Sequence, residues 1–399
     1  MDKDLLWVKQ LETPCFIFEE DQFVQNLLAW RAALQSQFLD SIVAYSVKTN
    51  PLPYILRIVR EHGGYAEVVS YDEFHLAKRV GFPVSHIVYN GSMKDRETFL
   101  EALRHDAYVN IENPREIQWL REYQGPQPKH LGVRLNIDFG EISPEDAQPG
   151  EEASRFGFSF ANGAFEEAVR SIQACGFSVQ GIHAHRKSMT RSLRGYQNIC
   201  RHVTRVAKEL ELPLSYVDIG GGFYGNMPGK PSSREYAEAI QKSLCFDPLP
   251  TILVEPGSAL IAAPMEYCTT VLDTKELNGR TICPCDGSRL DIDPFFHKST
   301  YQYDAIIEES HPAPTEEAGD REQLLAGFTC LEQDGIMQMK APILQAGDRI
   351  LFYREGAYTM GLTPNFIRLQ PRVYVRRGGR IALIRDAWGT EEWIRQCVF

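Results

Sequence analysis

A lysine that directly follows a buried apolar run is a candidate nucleophile, and Lys48 follows the run IVAYSV in this way. An amine desolvated at a strand end has a lowered pKa and can attack an aldehyde. A lysine snorkelling at that strand end is the plainer reading, and it stays open here. His183 and His185 alternate in GIHAHRKS and so share a face, which suits a flat ring packed on a flat cofactor, with Ser188 able to donate to a phosphate. A metal fits less well, because no carboxylate or cysteine stands near them in sequence. One packed and one exposed histidine is the alternative. Gly220, Gly221 and Gly222 close the run YVDI, where they free backbone N–H groups and let a phosphate approach. Their spacing is neither a Walker nor a dinucleotide pattern, and a tight turn explains them equally well. Glu255 ends the run TILV before Pro256 and Gly257. A carboxylate there, set against a pyridine nitrogen, would keep that nitrogen protonated and make the ring an electron sink. Cys330, in GFTCLEQDG, is the one cysteine beside a candidate acid, Asp334; a lone cysteine is otherwise an inert core residue.

These groups need elements to hold them. Between residues 22 and 258, short apolar runs (41–47, 86–91, 107–112, 131–137, 179–185, 214–221 and 251–256) read as buried strands. Amphipathic stretches at 22–37, 71–81 and 196–212 read as helices between them. Alternation of this kind predicts right-handed βα units, and the roughly 235 residues suit an eight-stranded (β/α) barrel with its chemistry at the C-terminal strand ends. After residue 258 the texture turns β-rich, at 267–277, 280–287, 348–360 and 371–386. Residues 259–399 are expected to form a β-sandwich or β-barrel domain, joined by residues 1–21 through a strand at 15–20. Residues 139–153 and 308–322 read as acidic, helix-breaking loops, the first placed to cover an active site.

The bulk numbers bound the class. With 399 residues, 43% apolar and 24% charged, the chain is an ordinary globular protein large enough for two cores. A net charge of −11 with scattered basic residues argues against a nucleic-acid surface. The nine cysteines are dispersed except for Cys283 and Cys285, which lack a second pair. No apolar stretch has the length of a signal or a membrane span, so a cytoplasmic enzyme with reduced thiols is the expectation.

Taken in order, the motifs YSVKTNP around Lys48, EVVSYDE (67–73), RFG (155–157), HAHRKS (183–188), DIGGGF (218–223), EPG (255–257), CDG (285–287), TCLEQD (329–334) and GAYT (356–359) form a known series. The chain resembles the fold type III pyridoxal-phosphate decarboxylases, the diaminopimelate, ornithine and arginine decarboxylases, over nearly its whole length. The resemblance implies an alanine-racemase-like TIM barrel with a C-terminal β domain, pyridoxal 5'-phosphate as cofactor, an amino-acid substrate and a homodimer with shared active sites. It implies Lys48 as the Schiff-base lysine, Glu67 beside it, His185 on the pyridine face and Glu255 at the pyridine nitrogen. It also implies Ser188, Gly221, Gly222, Gly257 and Tyr358 around the cofactor, and Cys330 as the proton donor supplied by the partner subunit. Arg155, Asp293, His297, Leu331, Glu332 and Asp334 fall where such enzymes meet substrate.

Some positions depart from the family pattern. Ser258 stands where an arginine usually follows EPG. The R-P-x-x-Y clamp of diaminopimelate enzymes is replaced by Asp293-Pro294-Phe295-Phe296-His297. Leu331, with Glu332 one residue later, stands where an acid directly follows the cysteine. These departures predict a modified or conjugated amino acid as substrate rather than diaminopimelate or ornithine. The alternatives are an amino-acid racemase on the same fold, which Glu255 disfavours because racemases place an arginine there, and a non-catalytic regulatory relative.

Overall fold

Short runs of Val, Ile and Tyr flanked by turn residues build the sheets of this chain, and capped helices separate them. The computed structural model describes residues 3–147, 154–186, 190–308 and 321–398. Two compact units emerge, one of Val24–Leu260 and one of Met1–Phe23 with Ile261–Phe399.

The first strand, β1 (Cys15–Glu19), belongs to the second of these units. The Val24–Leu260 unit is a closed barrel of parallel strands. In order these are β2 (Ser41–Ser46), β3 (Tyr65–Ser70), β4 (Ile87–Met93), β5 (Tyr108–Ile111), β6 (Leu131–Arg134), β7 (Gly181–His183), β8 (Tyr216–Asp218) and β9 (Thr251–Val254), which pairs back onto β2. The intervening helices start where short polar side chains cap orphan N–H groups. Ser70 accepts from Glu73 N, Asp95 from Thr98 N, Asn113 from Glu116 N and Ser192 from Gly195 N. Inside the barrel Ile42, Ala44, Val88, Tyr108, Tyr216 and Leu253 pack together. Tyr216 fills the space because Gly181 lacks a side chain, since a Cβ there would lie 2.1 Å from the tyrosine's Cζ. The buried Tyr216 phenol donates to Asn110 Oδ1 at 2.8 Å, so its polar tip is satisfied.

Seven of the eight strands appear in the sequence as apolar runs, whereas β3 does not, because Glu67 interrupts its apolar pattern. The strands are also shorter than the runs. β2 stops at Ser46, and Val47–Thr49 forms a 3₁₀ turn that carries Lys48. β7 stops at His183, so His185 lies beyond the strand rather than on it. Residues 139–147 are not an irregular loop: Phe139–Ile142 and Pro144–Asp146 are short helical turns, and Asp146 is buried, accepting from Ser143, Thr190 and Ser192 hydroxyls. The rest of that expected loop, 148–153, lies outside the described residues, as do 309–320 of the other and Ser188.

The second unit contains two sheets. The strands are β10 (Met265–Thr270), β11 (Lys275–Leu277), β12 (Arg280–Pro284), β13 (Gln302–Ile306), β14 (Arg321–Ala326), β15 (Gly335–Ala341), β16 (Arg349–Tyr353), β17 (Arg372–Arg377) and β18 (Arg380–Arg385). Six form the order β13-β16-β10-β1-β17-β18, and four form β11-β12-β14-β15. β1 lies inside the larger sheet, antiparallel to β10 and parallel to β17. Val8, Leu11, Cys15, Ile17, Cys268, Ile306 and Leu351 make a core on one face of it. All nine cysteines are free, and Cys283 and Cys285 are buried singly, against Gln323 and the Gly287 carbonyl. Among the described residues no helix is long and apolar enough to cross a membrane.

Candidate active site

The site is built at the C-terminal ends of the barrel strands. Lys48 leaves the turn after β2 with its side chain about one-third exposed, and its Nζ donates to Glu67 Oε2 at 2.7 Å and Ser46 Oγ at 2.8 Å. Ser46 Oγ also donates to Glu67 Oε2 at 2.6 Å. Burial pushes the Glu67 carboxyl up, but the Lys48 charge and hydrogen bonds from Lys48, Ser46 and Asn90 outweigh it and hold Glu67 below the usual range. Glu67 is thus an ionised, dry counter-ion for the Lys48 ammonium.

Asn90, in the middle of β4, joins this pair to Glu255. Its Nδ2 donates to Glu67 Oε1 at 3.3 Å and to Glu255 Oε1, and its Oδ1 accepts from Asn110 Nδ2 at 2.8 Å. A ladder of side-chain hydrogen bonds therefore runs from Tyr216 in the barrel core through Asn110 and Asn90 to both carboxyls. Glu255 is 3% exposed. Burial, then the nearby charges of Asp218 and Glu67, raise its carboxyl well above the usual range. Asp218, at the end of β8, is pushed up to about 7 by burial. His183 completes the cluster, with Nε2 3.7 Å from Glu255 Oε2. Burial and the Arg134 charge hold it neutral. The expectation that no carboxylate accompanies the histidines is overturned: one donor atom each of His183, Asp218 and Glu255 lies within 4.8 Å of the others. The neighbours arrive from β8 and β9, which sequence spacing does not reveal.

His185 is oriented rather than free. Its Nδ1 accepts from Gly221 N at 3.2 Å, which assigns the ring proton to Nε2. Desolvation and the Arg134 and Lys48 charges lower its pKa to about 3, so the ring is neutral. Its plane lies 9° from that of His183. Arg134 Nη2 reaches the His185 carbonyl at 3.4 Å, while Nη1 is held by Glu112 Oε2 at 3.0 Å. Gly220 N donates to Asp218 Oδ1 at 2.9 Å. Two of the three glycine N–H groups are therefore already used, that of Gly221 by His185. Gly222 N–H has no partner among the described residues. Asn90, Asp218, Arg134 and Ser46 went unassigned by sequence reasoning. Their only signal is a polar residue inside or ending an apolar run.

Arg155 is exposed, with its guanidinium 4.9 Å from the Phe156 ring centroid. In the second unit Cys330, Leu331 and Glu332 are exposed on the turn between β14 and β15. Asp334 is not free to meet a substrate. It is 3% exposed, and its carboxylate accepts from Ser288 Oγ, Arg289 N, Thr329 N and Thr329 Oγ1 at 2.6–3.0 Å, which fixes the Cys330 turn. Asp293 is likewise spent on Arg289 and the His297 and Lys298 amides. These two expected substrate contacts are structural anchors in this chain. His297 is exposed, its ring stacked on Phe295. Tyr358 is 44% exposed at a left-handed φ of 58°.

The barrel donor set fits pyridoxal phosphate. Lys48 offers an amine for an aldehyde, Glu255 a proton-bearing carboxyl for a ring nitrogen and His185 a neutral flat face. His183 Nδ1 and Nε2 and Thr49 Oγ1 are buried without a partner. The glycines let these strand ends pack closely: a Cβ on Gly221 would lie 2.3 Å from the Glu255 carbonyl oxygen, and one on Gly257 2.0 Å from Thr49 Oγ1.

Residues 20–262 match the family described as pyridoxal-dependent decarboxylase, pyridoxal binding domain. Diaminopimelate decarboxylase of Bacillus subtilis (strain 168) is 27% identical over 396 residues, covering 93% of this chain and 88% of that protein. The probable chloroplastic diaminopimelate decarboxylase of Oryza sativa subsp. japonica is 25% identical over 398 residues, covering 96% and 79%. The crystal structure of diaminopimelate decarboxylase from M. jannaschii in co-complex with L-lysine is similar at a TM-score of 0.84 and 21% identity, covering 98% of this chain and 94% of that one. The arginine decarboxylase of Paramecium bursaria Chlorella virus bound to agmatine is similar at 0.77 and 19%, covering 93% and 98%. The likeness to these structures shows the barrel-plus-β-domain fold.

Proposed function

Since the chain belongs to the pyridoxal-dependent decarboxylase family, we propose that it removes the α-carboxylate of a modified or conjugated amino acid, at a site built on Lys48, His185 and Glu255. It is a pyridoxal-phosphate-dependent carboxy-lyase of amino acids. The observation that carries the assignment of residues is the unbroken contact path Lys48–Glu67–Asn90–Glu255–His183 at one end of the barrel.

When bound, pyridoxal phosphate supplies an electron-poor ring that accepts the electron pair left as CO₂ departs. The chain's own residues prepare for it. Lys48 is the covalent anchor, kept in place by Glu67 and Ser46. Glu255 carries a proton while its surroundings are dry, so it can give that proton to a ring nitrogen and remain as the paired carboxylate. His185, neutral and oriented by Gly221 N–H, presents a face for stacking. Gly222, Ser188 and Tyr358 are assigned to the phosphate end, and Gly221 and Gly257 to the cofactor more broadly. Cys330, exposed on a turn anchored by Asp334, is assigned as the donor that returns a proton to the substrate carbon. In this reading it acts in the active site of a partner subunit, and the enzyme is a homodimer.

Asp293 supports the substrate assignment. It stands where the resemblance expects a carboxylate-clamping arginine, and it is a buried acid already engaged by Arg289. CO₂ release should be measured across α-amino acids, diaminopimelate, ornithine, arginine and amide conjugates of small diamino acids. The highest kcat/KM is expected for a conjugate; diaminopimelate as the best substrate would overturn the assignment and leave the decarboxylase class intact.

A further inference from the structure

We propose that Tyr196 is a positioning residue for the cofactor phosphate, acting through the Gly221–Gly222 peptide. Tyr196 lies in the first turn of the helix Leu193–Glu209 and is 5% exposed. Its hydroxyl donates to the Gly221 carbonyl oxygen at 2.8 Å. That carbonyl belongs to the same peptide group as Gly222 N–H, the glycine donor not used by Asp218 or His185. A hydrogen bond accepted at a carbonyl polarises the whole peptide and strengthens its N–H as a donor. An anion facing Gly222 would therefore be bound more tightly with the phenol present than without it.

The geometry leaves the phenol little freedom. Its ring stacks on Phe223 at 4.6 Å and 18°, and meets Tyr236 edge-on at 5.1 Å. Gly222 has a φ of +87°, and a Cβ there would lie 3.2 Å from the Tyr196 hydroxyl. The glycine turn is thus packed directly on the phenol. Burial keeps that phenol protonated and so a donor.

This inference rests on the pyridoxal-phosphate reading, and its test separates the two. Cofactor-free wild type and Tyr196→Phe are titrated at equilibrium with pyridoxal phosphate and with pyridoxal, which lacks the phosphate. Wild type should bind the phosphorylated form more tightly. Tyr196→Phe keeps the ring stack and should raise the Kd for pyridoxal phosphate about three- to tenfold, the scale of one buried hydrogen bond. Its Kd for pyridoxal should stay within about twofold of wild type, since the lost bond serves only the phosphate. Equal weakening toward both ligands would make Tyr196 a packing residue, and no change toward either would remove its role altogether. If wild type fails to distinguish the two ligands, the phosphate site itself is wrong. Urea unfolding of both cofactor-free proteins shows whether the variant is folded; should it not be, Tyr196→Leu, which also lacks a donor, replaces it, and a ratio of the two Kd values unchanged from wild type in that variant would equally overturn the proposal.

Discussion

Asn90→Ala tests whether the buried ladder from the barrel core holds the Glu67 and Glu255 carboxyls in register. Asn90 is 2% exposed and makes three side-chain hydrogen bonds, to Glu67, Glu255 and Asn110. Losing a bond to a charged acceptor costs about 1.5–3 kcal/mol, and a buried donor left unpaired, here Asn110 Nδ2, about 1–3 kcal/mol more. With the Glu255 contact included, the barrel should lose about 3–6 kcal/mol, a large share of the usual 5–15 kcal/mol of domain stability. That corresponds to a fall in Tm of roughly 6–24 °C for a unit of this size. Glu67 and Glu255 would also lose the donor that bridges them, so cofactor affinity should fall with stability. Asn90→Asp sharpens the test. It keeps an acceptor for Asn110 but replaces both donors with a further acid between two others. At neutral pH it should be at least as damaging as Asn90→Ala, and its penalty should shrink below about pH 5, where a protonated carboxyl regains a donor. Urea midpoints and cofactor titrations of the two variants decide the matter. A wild-type midpoint in Asn90→Asp at pH 7 would refute the reasoning, because the donors would then carry none of the effect.

Other outcomes follow from the same geometry. Lys48→Ala should lose the visible absorbance that borohydride bleaches and several orders of magnitude in turnover; a reducible chromophore on another lysine would defeat that assignment. Glu255→Ala should still bind cofactor but fall about 10²–10⁴-fold in decarboxylation rate, measured as CO₂ release. Mixing inactive Lys48→Ala and Cys330→Ala protomers should restore activity toward about a quarter of wild type if each site draws on two subunits; confirmed exchange without recovery would place both residues in one subunit or remove Cys330 from the reaction. Burial and the neighbouring Arg205 charge lower His202 to about 4. Its folded pKa is below the unfolded one, so its stability contribution is present above about pH 6.5 and is lost as pH falls toward 4. His202→Leu should flatten that acid limb in thermal melts between pH 7 and 4.5.

The barrel was legible because its strands are dry on both faces and so appear as continuous apolar runs. β3 escaped for the same reason reversed, since Glu67 breaks its run while supplying the counter-ion for Lys48. Lys48, His185 and Glu255 were visible as polar residues at or just past the ends of such runs, and Gly222 as part of a glycine cluster closing one. Asn90, Asp218 and Arg134 were not, because their meaning lies in what adjacent strands bring beside them. Asp293 and Asp334 show the opposite failure. An acid in a motif reads as reactive, yet each here is consumed by backbone N–H groups, Asp293 by those of its own loop and Asp334 by Thr329 N and the distant Arg289 N. Exposure and partner count, which sequence spacing does not encode, separate an anchor from a reagent.

The place of β1 inside the larger sheet bears on how the molecule is made. The barrel strands follow one another between residues 41 and 254, each pairing with the next, so that unit can assemble progressively as it leaves the ribosome. β1 is synthesised before all of them, yet its partners are β10 and β17, and the Arg376–Glu19 pair spans 357 positions. A strand of mostly apolar residues, CFIFE, must therefore wait with both edges open until β10 has been translated, and with its β17 edge open until nearly the whole chain has. During that interval it is the segment most exposed to capture by another nascent chain or by a chaperone. Slowing elongation after residue 260 should increase aggregation of the full-length product, while a chain beginning at β2 should be spared that hazard and lack the larger sheet.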